Sequence, residues 1–150
     1  MDLAELAIPT APELAEMLRP ALLRASRALR REAQRAGVSA LDAQLLGAVK
    51  NNPGIGVSAL ADREQMTRAS MSGHVKRLVA AGWVGRLDAD EQDRRRSGLT
   101  LTARGAKALE AIRRRRNDWL AARLARLSPA DRAALARAAG PLRLIAEDRT

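Results

Sequence analysis

Along most of the chain, apolar residues recur three or four positions apart, the spacing of one helical face. The first stripe runs from Glu13 to Ala36 through Leu14, Leu18, Leu22, Ala25, Leu29 and Ala33. Pro20 is expected to kink this helix or mark its true start, and Gly37 to close it. Residues 1–12, with Pro9 and Pro12, read as a loose arm. Ser39 opens a second helix with Asp42 in the capping-box position and a buried face of Leu41, Leu45, Leu46 and Val49. Asn51-Asn52-Pro53-Gly54 stops it. Ser58 is expected to cap a short third helix carrying Leu60 and Ala61. After a break near Gln65-Met66, Thr67 caps a fourth helix that runs to Gly82. Two short helices separated by a tight turn predict a helix-turn-helix.

The period changes after Gly82. Trp83 to Leu87 and Gly98 to Thr102 partly alternate, and they flank an almost wholly charged stretch from Asp88 to Ser97. This pattern predicts a hairpin with a long polar tip. Helical spacing returns at Thr102 and reaches about Arg126, with Leu109, Ile112, Trp119, Leu120 and Leu124 toward a core. Ser128-Pro129-Ala130-Asp131 starts a last helix, carrying Leu135, Leu142 and Ile145 and bent at Gly140-Pro141. The fold class is thus mainly α with a small β-hairpin wing. One domain spans 1–150, with a winged helix-turn-helix lobe at 39–102 between terminal helices at 13–36 and 103–147. The apolar stripes on the terminal helices exceed what one small winged lobe can bury, which predicts a homodimer.

Charge narrows the partner. Lys and Arg total 27 against 17 Asp and Glu, a formal charge of +10 that favours a polyanion. Phe and Tyr are absent and Trp83 and Trp119 are the only Trp residues, so no set of aromatic platforms for stacking single-stranded bases exists. Duplex DNA is therefore the expected polyanion. A membrane surface fits less well, since no helix pairs a bulky apolar face with a strongly basic one. Met1 leads into Asp2 and Glu5 without a basic or long apolar run, so no signal peptide or membrane span is expected, and the location expected is cytoplasmic. The absence of Cys excludes thiol nucleophiles, thiolate metal sites and cysteine redox switches.

On the fourth helix, Met71, Val75, Leu78 and Val79 form the buried stripe. Ala69, Ser70, Gly73, Lys76 and Arg77 then point outward, with Ser72 and His74 on the flanks. Small and basic side chains on an exposed helix suit a major groove, where base edges are legible. Arg94, Arg95 and Arg96 at the hairpin tip, beside Asp93, suit a narrow minor groove. His74 is the only His, and Ser72 and His74 face different ways, so neither a His-rich metal site nor a nucleophile–base pair is available. No enzyme, metal or cofactor is expected. Arg113 to Arg116 wrap around their helix and read as solvated.

The run Ser70-Met71-Ser72-Gly73-His74-Val75-Lys76-Arg77-Leu78, followed by Gly82, Asp93-Arg94-Arg95 and Leu101-Thr102-Ala103-Arg104-Gly105, resembles the signature of the MarR family, the multiple antibiotic resistance regulators. The resemblance implies a cytoplasmic bacterial transcription regulator, often a repressor, that binds double-stranded DNA as a triangular homodimer. The terminal helices would form the dimer interface. The fourth helix would be the recognition helix, with Arg68, Ala69, Ser70, Ser72, Gly73, His74, Lys76 and Arg77 as candidate contacts. Asp93, Arg94, Arg95 and Arg96 would be the wing contacts. Gly73 departs from the pattern, standing where relatives commonly carry a longer polar or basic side chain, and the wing tip is about one residue longer than usual. The resemblance also implies a small aromatic or phenolic anion as effector; in this sequence Arg24 and Arg27 along the first helix are the candidates to pair with it, and Trp119 the candidate apolar wall. The competing reading is a helical scaffold protein that kept a winged fold without specific DNA recognition.

Overall fold

The computed structural model describes residues 8–87 and 98–147. In chain order the elements are α1 (Ala11–Arg35), α2 (Ala40–Asn51), α3 (Val57–Arg63), α4 (Arg68–Ala80), β1 (Val84–Arg86), β2 (Leu99–Leu101), α5 (Ala103–Leu124) and α6 (Pro129–Glu147). Four of the expected caps are in place. The side chains of Ser39, Thr67, Thr102 and Ser128 accept hydrogen bonds from the amides of Asp42, Ser70, Gly105 and Asp131, satisfying donors that the first helical turn leaves open.

Two boundaries differ from expectation. α1 begins at Ala11, ahead of both Glu13 and Pro20, because the Thr10 amide and hydroxyl donate to the Glu13 carboxylate at 2.8 and 2.7 Å and fix the first turn. Pro20 therefore lies inside α1 and does not mark its start, and α6 continues past Pro141 as expected, each helix being long enough to carry one missing ladder bond. α3 starts after Gly56 instead of Ser58. Ile55 is bridged to Leu99, so the chain turns at Gly56, whose carbonyl accepts the first intrahelical bond from the Leu60 amide at 2.9 Å.

One core joins the helix-turn-helix to the hairpin. Leu45, Leu46, Leu60, Met71, Val75, Leu78, Leu99 and Ile112 are fully buried in it. The strands pair antiparallel, Val84 with Leu101, Gly85 with Thr100 and Arg86 with Leu99. β2 is also tied on its far side: the Leu99 amide donates to the Ile55 carbonyl and the Leu99 carbonyl accepts from the Gly54 amide, both at 2.8 Å. The Leu-Thr-x-x-Gly segment acquires a physical meaning here. The Thr102 hydroxyl donates to the Gly82 carbonyl at 2.6 Å, and Gly105 lies so close to the Trp83 carbonyl that a Cβ would stand 2.1 Å from that oxygen.

Below this lobe, α1 and α5 pack against each other. Buried Glu32 pairs with Arg35 at 2.9 Å and with Arg115 at 3.9 Å, and Arg116 Nε donates to the Leu29 carbonyl at 3.1 Å. Two of the four consecutive arginines expected to be solvated therefore hold α5 to α1. The outer parts of both terminal regions are bare in the single chain: Met17 is 68% exposed, Leu144 66% and Ile145 70%, and α6 buries no residue.

Candidate nucleic-acid interface

The turn between α3 and α4 is set by Gln65, which takes a left-handed φ of +54° and swings the chain back so that the two helices pack. Met71, Val75 and Leu78 are buried and Val79 is half-buried, as the stripe requires. That leaves Arg68, Ala69, Ser70, Gly73, Lys76 and Arg77 exposed and Ser72 and His74 half-buried on the flanks. Nothing lies within 4 Å of where a Gly73 Cβ would be, so the middle of this face is bare backbone. Asp93, Arg94, Arg95 and Arg96 lie outside the described residues.

The two flanks of α4 differ in chemistry. On one side Arg68, Ser72 and Lys76 line a cleft of about 480 Å³ closed by Ser58 of α3 and Arg86 of β1. Three cations and two hydroxyls converge there with no acidic side chain in the lining, an arrangement suited to a phosphodiester oxygen. Sequence reasoning missed Ser58 and Arg86. Ser58 looked like a cap, and Arg86 carries no local signal until the hairpin brings it beside α4.

On the other flank Arg77 reaches across to α2. Its two terminal nitrogens donate to the two carboxylate oxygens of Asp42 at 2.6 and 2.7 Å, and Nη2 also lies 3.1 Å from His74 Nδ1. Asp42 is only 4% exposed, and the Arg77 hydrogen bonds hold its carboxyl below the ordinary value of 3.8 against the opposing effect of burial. Asp42 was expected to complete a capping box; its carboxylate is instead committed to Arg77.

Farther off, Arg24, Arg27 and Trp119 come together with Ala28 and Arg31 around an open cleft of about 530 Å³ between α1 and α5. Trp119 is half-buried, and the Arg123 guanidinium sits 3.8 Å from its ring centroid, a cation–π contact. Among the described residues no helix is long and apolar enough to cross a membrane.

Known proteins share this fold. A sequence model of the MarR family matches residues 36–96. An HTH-type transcriptional regulator of Mycobacterium bovis is 34% identical over 126 residues, covering 84% of this chain and 87% of its own. A solved structure from Pseudomonas aeruginosa PA01, assigned as a transcriptional regulator, has a TM-score of 0.78 at 28% identity and covers 95% of this chain and 100% of its own. A MepR mutant of S. aureus, solved bound to an oligodeoxyribonucleotide, shares the fold with a TM-score of 0.67 at 18% identity, over 89% of this chain and 96% of its own. With its helix-turn-helix, its hairpin and these likenesses, the chain belongs to the MarR family of winged helix-turn-helix transcriptional regulators.

Proposed function

We propose that the protein is a sequence-specific regulator that binds duplex DNA as a homodimer on a pseudo-palindromic site. The observation that carries this reading is the exposed small and basic face of α4 beside the Arg68–Lys76–Arg86 cleft. The bare centre at Gly73 lets the helix backbone approach base edges, while the cleft takes a phosphate at the groove rim. The fold shared with the oligonucleotide-bound MepR mutant supports it.

Salt dependence tests the cleft. On a duplex selected by the wild-type protein, Lys76→Ala and Arg86→Ala are each expected to weaken binding and to flatten the log-affinity against log-salt slope by about 0.9. Wild-type slopes in both variants would remove the cleft from the interface.

The dimer reading rests on the bare apolar side chains of α1 and α6, among them Leu22, Leu23, Leu135, Leu144 and Ile145. A two-fold pair would place half-sites about 34–36 Å apart. Sedimentation is expected to show a dimer at micromolar concentration, and a stable monomer with full DNA affinity would refute it. The same proposal gives the protein a repressor's switch. A small aromatic or phenolic anion in the α1–α5 cleft, paired with Arg24 and Arg27 against Trp119, would favour a conformation that binds DNA less well. A hundredfold loss of operator affinity requires about 2.7 kcal/mol of differential affinity, and operator DNA must then weaken anion binding by the same factor. Titrating the operator complex with salicylate tests this, release being the expected result.

A further inference from the structure

We propose that Asp42 is a positioning residue for sequence readout: through the Arg77 guanidinium it holds the His74 imidazole with Nδ1 as acceptor and Nε2–H as the donor offered to duplex DNA. This rests on the DNA-binding reading above and adds to it a device for fixing one contact.

The geometry allows little else. A guanidinium has only donors and does not lose its proton, so a hydrogen bond from Arg77 Nη2 to His74 Nδ1 at 3.1 Å requires a lone pair on Nδ1. The imidazole proton then resides on Nε2. Arg77 in turn cannot turn freely, because both oxygens of the buried Asp42 carboxylate hold its fork. The Ser39 cap fixes the backbone amide of Asp42 in the first turn of α2. A chain of three side chains therefore runs from the α2 terminus to the flank of the recognition helix.

Position gives the chain its use. His74 lies one turn after Ser70 on the same ridge and next to the bare backbone at Gly73. An N–H donor at this edge matches purine N7, guanine O6, thymine O4 or a phosphate oxygen. A lysine at 77 would hold the carboxylate as a point charge, but its ammonium lacks the planar fork that reaches both Asp42 oxygens and the imidazole together. The charge of Arg77 is already answered by Asp42, so its expected part is orientation rather than a phosphate contact. The two flanks of α4 thereby divide the work: a cationic cleft grips the backbone on one side, and a fixed N–H donor reads on the other.

The test compares wild type, Asp42→Asn, His74→Ala and the double variant on a duplex selected by the wild-type protein and on a random duplex of equal length. Asp42→Asn and His74→Ala are each expected to weaken the selected duplex about tenfold, the cost of one good base contact, with random-duplex affinity within about twofold. In the double variant the Asp42 substitution should add no more than about twofold to the loss from His74→Ala. A merely structural Asp42 would lower both duplexes alike, or would add its full effect on the alanine background, and either result overturns the proposal. Because His74 is the only histidine, its ¹⁵N spectrum is unambiguous. At about pH 8 the wild type should show a proton on Nε2 and none on Nδ1. Asp42→Asn should relax toward the mixture of a free imidazole. A wild-type ring protonated on Nδ1 overturns the proposal even if the variants fail to fold. If the wild-type protein selects no duplex at all, the DNA-binding reading itself falls, and this inference with it.

Discussion

Arg77→Ala is expected to destabilise the protein by about 2–4 kcal/mol, at the low end of the cost of breaking a buried pair because Arg77 itself is half exposed. The substitution removes both hydrogen bonds to the carboxylate of Asp42 and leaves a buried anion without its cation. Asp42→Asn should cost less, since an amide keeps one acceptor for Arg77 and leaves no stranded charge. pH separates the two. In the wild type the folded carboxyl is depressed, so the stability it contributes is present above 3.8 and is lost as pH falls through the lower folded value. In Arg77→Ala the stranded carboxyl is expected to ionise less readily than an unfolded one, so its penalty should shrink as pH falls from 7 toward 4. Urea unfolding of the wild type and both variants across that range checks the sign. A penalty for Arg77→Ala that is flat with pH would mean the buried carboxylate is not its cause.

The second large effect is expected at Gly105. An alanine Cβ there would stand 2.1 Å from the Trp83 carbonyl oxygen and 2.9 Å from Leu101 Cδ1. A backbone oxygen at the root of a strand cannot yield as the end of a long side chain does, so α5 must move off the hairpin. Overpacking of this kind costs about 1–3 kcal/mol and sometimes more, and Gly105→Ala should reach the upper end or fail to fold. Gly73→Ala is the internal control. Nothing lies within 4 Å of the added methyl, so the helix should gain up to about 1 kcal/mol from the better helix former. Thermal unfolding of both proteins tests the contrast, and equal shifts would contradict the packing described.

Much of this was legible because it is local. The buried stripe of α4 is set by helical spacing alone, and the caps at Ser39, Thr67 and Thr102 by a side chain and an amide three residues on. The Asp42–Arg77 pair was not legible, because its partners are 35 residues apart and Asp42 has a good local explanation as a cap residue. Arg86 escaped for the same reason, its neighbours in the cleft coming from α3 and α4. The start of α3 was misplaced because a bridge to Leu99, more than forty residues downstream, decides where the chain turns. Pro20 offered a start for α1 in its local sequence, but the Thr10–Glu13 contacts begin that helix at Ala11 and it runs on through the proline.

The double tether of β2 has a mechanical consequence. Leu99 is bonded to the turn after α2, pairs with β1 and sits at the centre of the core, while Thr102 fastens the start of α5 to the Gly82 carbonyl just after α4. The hairpin root therefore has no hinge of its own. If α5 tilts, the wing root and α4 must swing with it, as one jaw of a calliper moves without changing shape. In a paired assembly, a signal received among the terminal helices would thus be read out as a change in the gap between two rigid jaws, set against the fixed pitch of the double helix.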